Sequence, residues 1–209
     1  MSNLATSLQV IDTIIETALG AGLGLRPGAS DLSGLDGIDD DLVAALTPLL
    51  VAADGQEHEL ALDLCLDWLP QGMRLLSVDE IVSIWNYELS EQDEDYEDDW
   101  HQDDDRVRGL LTHPRRVMLW GDPDFPTEGG GYLDGVPGPN GRVGQVIAAV
   151  SECDFEVVAW SLDDFFSTYA ELVKSGQLVV SKGAYSWCVQ PPGVEEHPDA
   201  LLQAFRAHL

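Results

Sequence analysis

The chain has 209 residues, of which 44% are hydrophobic, enough for an ordinary globular core without disulfide or metal staples. Its 38 acidic and ten basic residues leave a formal net charge of −28, a surface that repels DNA, RNA and anionic lipid and attracts cations and basic proteins, although composition alone favours a role in solubility or a salt-adapted host. No stretch approaches the ~20 apolar residues of a membrane span, and no basic region followed by an apolar core opens the chain, so a cytoplasmic protein is expected.

In chain order, Thr6 to Leu19 reads as a helix, with Leu8, Ile11, Ile15 and Ala18 on one face and capping-box spacing between Thr6 and Gln9. Gly20, Gly22 and Gly24 end it; they do not form a dinucleotide-binding fingerprint, and no strand precedes them. Leu25 to Gly37 reads as a loop without calcium-loop spacing. Asp39 to Ala53 is a second helical region that Pro48 is expected to break or kink, unless Thr47 caps a new helix there. Asp54-Gly55-Gln56 is the turn out. Leu60 to Leu69 is ambiguous between strand and helix, and Met73 to Leu76 is a short strand. Ser77 and Glu80 form a capping box that opens a helix with Val78, Ile81, Ile84, Trp85 and Leu89 inward.

Glu88 to Asp105 follows, with eleven of eighteen residues acidic and Tyr96 and Trp100 interleaved. Dense like charge resists packing, so a solvated loop is expected. Arg106, Arg108, Arg115 and Arg116 come next, and local charge compensation folding the loop back is the plain expectation. The two aromatics are either tethers to the body or contacts for a partner. Val117 to Trp120, Gly144 to Val150 and Phe155 to Trp160 are apolar runs separated by turn formers, the pattern of an antiparallel meander. Ser161 caps a helix over Leu162 to Ser175 that Gly176 closes. Gln177 to Ser181 and Ala184 to Val189 read as a final hairpin, and Pro198 to His208 as a last helix. The layout is α+β: a central antiparallel, twisted sheet covered by helices on one face.

No nucleophile elbow, phosphate loop or zinc-protease motif is present. Cys65, Cys153 and Cys188 lack metal or redox spacing and read as buried free thiols. The histidines are scattered. His101 with Asp98, Asp99 and Asp103 would offer ligands to a hard cation, but such a site needs a rigid cage. Asp134, between Leu133 and Gly135, is placed for partial burial, and beside a Gly-Pro turn its expected role is to cap backbone N–H groups. No catalytic residue, cofactor or metal is assigned.

Several segments in order resemble the SUKH superfamily, the Smi/Knr-type proteins. The first helix followed by L-R-P-G-A-S is similar to that family's opening, Asp54-Gly55-Gln56 to its turn, and Gly72 to Trp85 to its strand and capped helix. The most specific match is Gly131 to Ile147, with Asp134, Pro137, Gly141, Gly144, Gln145 and Val146 in the family's order, and Trp120 falls where the family has a tryptophan before a polar loop. The resemblance implies a SUKH-like domain over residues 1–176 with an acidic insert at 88–105, and a C-terminal hairpin and helix extension over 177–209 packed on the same domain. It implies binding rather than catalysis: an immunity protein that neutralises a polymorphic toxin, such as a basic nuclease, by occlusion. The acidic residues Asp93, Glu94, Asp95, Glu97, Asp98, Asp99, Asp103, Asp104 and Asp105, with Tyr96 and Trp100, are the expected partner contacts. A regulatory scaffold with another partner is the alternative. A metal-assisted hydrolase is a third reading, which titration calorimetry with divalent cations separates.

Overall fold

The computed structural model describes residues 3–57, 66–70, 74–90, 102–109, 113–122, 129–150, 154–183, 186–194 and 200–209. Helix α1 (Asn3–Leu19) starts three residues before the expected Thr6, because Leu4 extends the apolar stripe of Leu8, Ile11 and Ile15 into the core. Its Asp12 accepts the Leu23 N–H at 2.6 Å and so directs the chain after the helix.

The segment expected to be loop holds strand β1 (Leu25–Pro27) and a short 3-10 turn, Ser33–Leu35. Strand β1 pairs antiparallel with β2 (Ala53–Gln56), where a turn was expected. No local periodicity marks either strand; the pairing of distant segments makes them. Helix α2 (Asp40–Ala52) lies between them and runs through Pro48 without a break, correcting the expected interruption. Leu42, Leu46, Leu49 and Leu50 are buried on both sides of the proline. Burying four leucines contributes several times the ~3 kcal/mol that an interior proline costs. Asp39 caps α2 by accepting the Asp41 N–H at 3.1 Å.

Strands β4 (Arg74–Leu75), β5 (Arg116–Gly121), β6 (Gly131–Asp134), β7 (Gln145–Ala149) and β8 (Phe155–Ala159) form one antiparallel five-stranded sheet in chain order; β5, β7 and β8 are the apolar runs expected of a meander, and β4 and β6 join them. Every residue of β5, β6 and β7 is buried. Successive side chains point to opposite faces, so both faces of these strands are covered. That is why β5 and β7 read as apolar runs. Gly131 is required where β6 passes the Trp120 indole, since a Cβ there would overlap the ring.

Helix α3 (Val78–Ser90) carries the expected capping box: Ser77 N–H donates to Glu80 Oε2 at 2.8 Å, and Glu80 N–H to Ser77 Oγ at 3.3 Å. Helix α4 (Leu162–Lys174) is capped by Ser161, whose side chain accepts the Asp164 N–H at 3.1 Å. It lies against the sheet through Phe165, which stacks on Trp120 at 5.1 Å, and beside α1.

A second sheet places β10 (Trp187–Gln190) between β9 (Val179–Lys182), antiparallel as expected of a hairpin, and β3 (Leu66–Asp67), parallel. The parallel pair ties the C-terminal hairpin to the middle of the chain. Helix α5 (Ala200–Arg206) stacks Phe205 on Phe165 at 4.7 Å, so the C-terminal residues share the main core. Cys188 is a buried free thiol; Cys65 and Cys153 lie outside the described residues. Among the described residues, no helix is long and apolar enough to cross a membrane.

Candidate functional site

The structure gathers the Gly131 to Ile147 motif and the end of the acidic segment into one place. Asp134 ends β6 and is completely buried. Its Oδ1 accepts the Val136 N–H at 3.0 Å, the expected capping role. The same oxygen lies 3.3 Å from Arg116 Nε, and its Oδ2 accepts Gln145 Nε2 at 2.9 Å. Arg116, 1% exposed, also donates through Nη2 to the Arg108 carbonyl at 2.7 Å. Register makes this group: Arg116 faces Asp134 across β5 and β6, and Asp134 faces Gln145 across β6 and β7. A carboxylate held by three donors with no exposed surface leaves no room for a substrate, so Asp134 is a packing centre.

Gln145 extends the network outward. Its Nε2 donates to the Arg106 carbonyl at 2.8 Å, and its Oε1 accepts the Arg142 N–H at 2.9 Å. Gly144, at φ +83°, donates to the Asp134 carbonyl at 2.7 Å. Gly141 donates to the Gly138 carbonyl at 3.0 Å, and a Cβ on Gly141 would collide with the Arg106 carbonyl. Pro137 sits 2.7 Å from that hypothetical Cβ. The motif residues Pro137, Gly141, Gly144 and Gln145 thus build a socket for Asp105 to Val107, where the acidic segment returns to the body.

That return is fastened to the edge of the sheet. Gln102 Oε1 accepts the Phe155 N–H at 2.8 Å, and Asp104 Oδ2 accepts the Val157 N–H at 3.0 Å. Two side chains spaced i and i+2 therefore cover two outward N–H groups of β8 with the same spacing, protecting an edge strand. Asp104 also grips Arg106, with Nε and Nη2 each at 2.7 Å. Burial opposes the Asp104 charge, but the hydrogen bonds from Arg106 and the Val157 N–H outweigh it and lower its pKa. Asp105 is exposed and accepts Asn140 Nδ2 at 2.7 Å. Asp103 is exposed. Of the expected partner contacts, then, Asp104 is taken up by internal bonds, and Asp103 and Asp105 sit at the surface. Asp93, Glu94, Asp95, Tyr96, Glu97, Asp98, Asp99 and Trp100 lie outside the described residues, as do His58, His101 and His197.

Of the arginines expected to compensate the acidic segment, Arg106 pairs with its Asp104, while Arg115 pairs with Asp39 at 3.1 Å and Arg116 with Asp134; most acids of the segment lie outside the described residues. Trp120 is buried as predicted, its Nε1 donating to the Pro70 carbonyl at 3.2 Å. Trp85 is half-buried and donates Nε1 to the Pro114 carbonyl at 3.1 Å, and Leu89 is likewise only half-buried. Glu88, read as the start of the solvated run, is instead buried on the inner face of α3. Burial pushes its carboxyl up to about 8, against the pull of Arg116. The position four residues after Ile84 was the available signal; its charge argued for water. Sequence reasoning also missed Arg142, whose guanidinium lies 4.3 Å from the centroid of Trp160.

At least seven of the ten basic side chains are held in ion pairs inside the chain. Glu80 alone takes Arg26 at 3.3 Å and Arg74 at 2.6 Å. The surface offered to a partner is correspondingly negative. Comparison with protein-family models and with curated proteins gives no match for this chain.

Proposed function

We propose that this chain is a non-enzymatic protein-binding domain of the SUKH, Smi/Knr-like type, with helices over one face of its twisted sheet. It works as a cytoplasmic immunity protein that binds a basic toxin domain and blocks it by occlusion. The observation that carries the reading is the excess of acid, −28, in a chain whose cations are mostly engaged internally. A nuclease must present a basic cleft to its substrate, and a negative surface is drawn to such a cleft and competes for it. The closed Asp134 centre supports binding over catalysis, since the best-placed buried carboxylate is committed to structure.

The acidic segment up to Asp105 supplies the contact, and its fastening through Gln102 and Asp104 holds one end of it to the body. The test is capture of the partner from the native host, followed by association kinetics with Asp93, Glu94, Asp95, Asp98 and Asp99 replaced by Asn or Gln. The expected result is a basic partner whose toxicity the chain neutralises, bound more slowly and with a flatter salt dependence by the variant. A neutral or acidic partner, or an unchanged on-rate, overturns the reading.

A further inference from the structure

Three charged side chains have almost no exposed surface: Arg116 is 1% exposed, Asp134 0%, and Glu88, on the buried side of the last turn of α3 where the helix packs on β5, 5%. The Arg116 guanidinium is already matched by Asp134, which is itself satisfied by Val136 N–H and Gln145. Glu88 is therefore a second carboxyl for one cation. Its carboxyl takes no hydrogen bond among the described residues. An ionised carboxylate in that position is strongly unfavourable, and the neutral acid is much less so.

Other titratable groups among the described residues lie on the strands packed against α3. The charge of Arg116 in β5 acts on Glu88, and that of Glu88 on Tyr132 in β6; Asp134 pairs with Arg116, and His113 lies just ahead of β5. The 3-10 turn Ser33–Leu35, which also packs on α3, carries no titratable side chain. Burial, with the charge of Glu88, keeps the Tyr132 phenol protonated. Burial and the charges of Arg116 and Arg115 lower the His113 pKa, favouring the neutral imidazole.

We propose that Glu88 is a proton-operated latch: as the neutral acid it seats the last turn of α3 on Arg116 and Tyr132, and loss of its proton frees that turn, from which the acidic segment departs. The ionisable range covers ordinary cellular pH, since burial sets the seated carboxyl at about 8 against an ordinary value of 4.5. The sign follows from linkage. The seated form binds the proton more tightly, so its advantage is complete below 4.5 and is lost as pH rises to about 8. The latch does not depend on what the acidic segment binds.

The test uses the full chain. The Glu88 side-chain carboxyl is followed by NMR from acid to alkaline pH, together with the Trp85 indole N–H, which bonds Pro114 one turn earlier, and amide exchange at Tyr87 to Ser90. The expected midpoint for Glu88 is near 8, with the Trp85 signal shifting alongside it. After correction for intrinsic exchange, opening of the last turn rises about tenfold per pH unit up to that midpoint and then levels off, as release of one proton requires. In Glu88→Gln the slope disappears. A carboxyl titrating near 4.5, or the same slope in Glu88→Gln, overturns the proposal. If Glu88→Gln does not fold, the wild-type midpoint and the linked Trp85 shift decide alone.

Discussion

Asp134 and Arg116 illustrate how much a single buried residue depends on its partner. Each is essentially without solvent; Asp134 also accepts the Val136 N–H and Gln145, and Arg116 also donates to the Arg108 carbonyl. Removing one member strands the other charge in a medium that cannot hydrate it. Asp134→Ala is therefore expected to destabilise the chain by about 3–5 kcal/mol, read from denaturant midpoints. Replacing both members with apolar residues of similar volume is expected to cost much less, because no charge is left behind. Asp134 was legible in the sequence as a cap beside a turn. Its ion-pair partner was not, because eighteen residues separate the two and only the β5–β6 register brings them face to face.

At the level of the element, α3 shows local and distant forces acting on the same residue. Glu80 closes the capping box with Ser77, which four residues of sequence suffice to announce. It also receives Arg74 and Arg26 from strands β4 and β1, which no local pattern announces. Burial opposes the Glu80 charge, but the bonds from Arg74 and Ser77 prevail and take its pKa from 4.5 down to about 2. A depressed acid stabilises the fold above its unfolded value and loses that contribution as pH falls. Glu80→Gln is expected to cost about 1 kcal/mol at neutral pH, in the range of a lost cap with partly exposed pairs. The difference from wild type should shrink between pH 4.5 and about 2, as followed by thermal melts. In α2 the balance is reversed: the local signal of Pro48 pointed to a break, and the buried leucines on either side overrode it.

The whole molecule carries −28, with most of its cations already engaged. Self-repulsion of that size opposes compaction and is screened by salt. Raising ionic strength from about 0.01 to about 0.1 M shortens the screening length from ~30 to ~10 Å. The melting temperature should rise over that range, by about 2–4 °C for each kcal/mol of repulsion relieved. A Tm that is flat or falls with salt would show that the surface charges are already balanced by their neighbours. The same charge couples to binding, since screening that steadies the fold slows encounter with a basic partner.

Much of the chain declares itself by its own short-range chemistry. Stripes of apolar residues at helical spacing place α1, α2, α3 and α4, oxygen-bearing caps start α3 and α4, and turn formers between apolar runs set the order of the meander. These depend on contacts within a few residues, so the sequence alone decided them. Tertiary structure decided the rest: the β1–β2 pair, the parallel seat of β10 on β3, the socket that Gln145 and the glycines make for the end of the acidic segment, and the burial of Glu88. Each of these depends on which distant backbone or side chain arrives opposite. The free energy of burying a charge or pairing an edge exists only once that partner is in place.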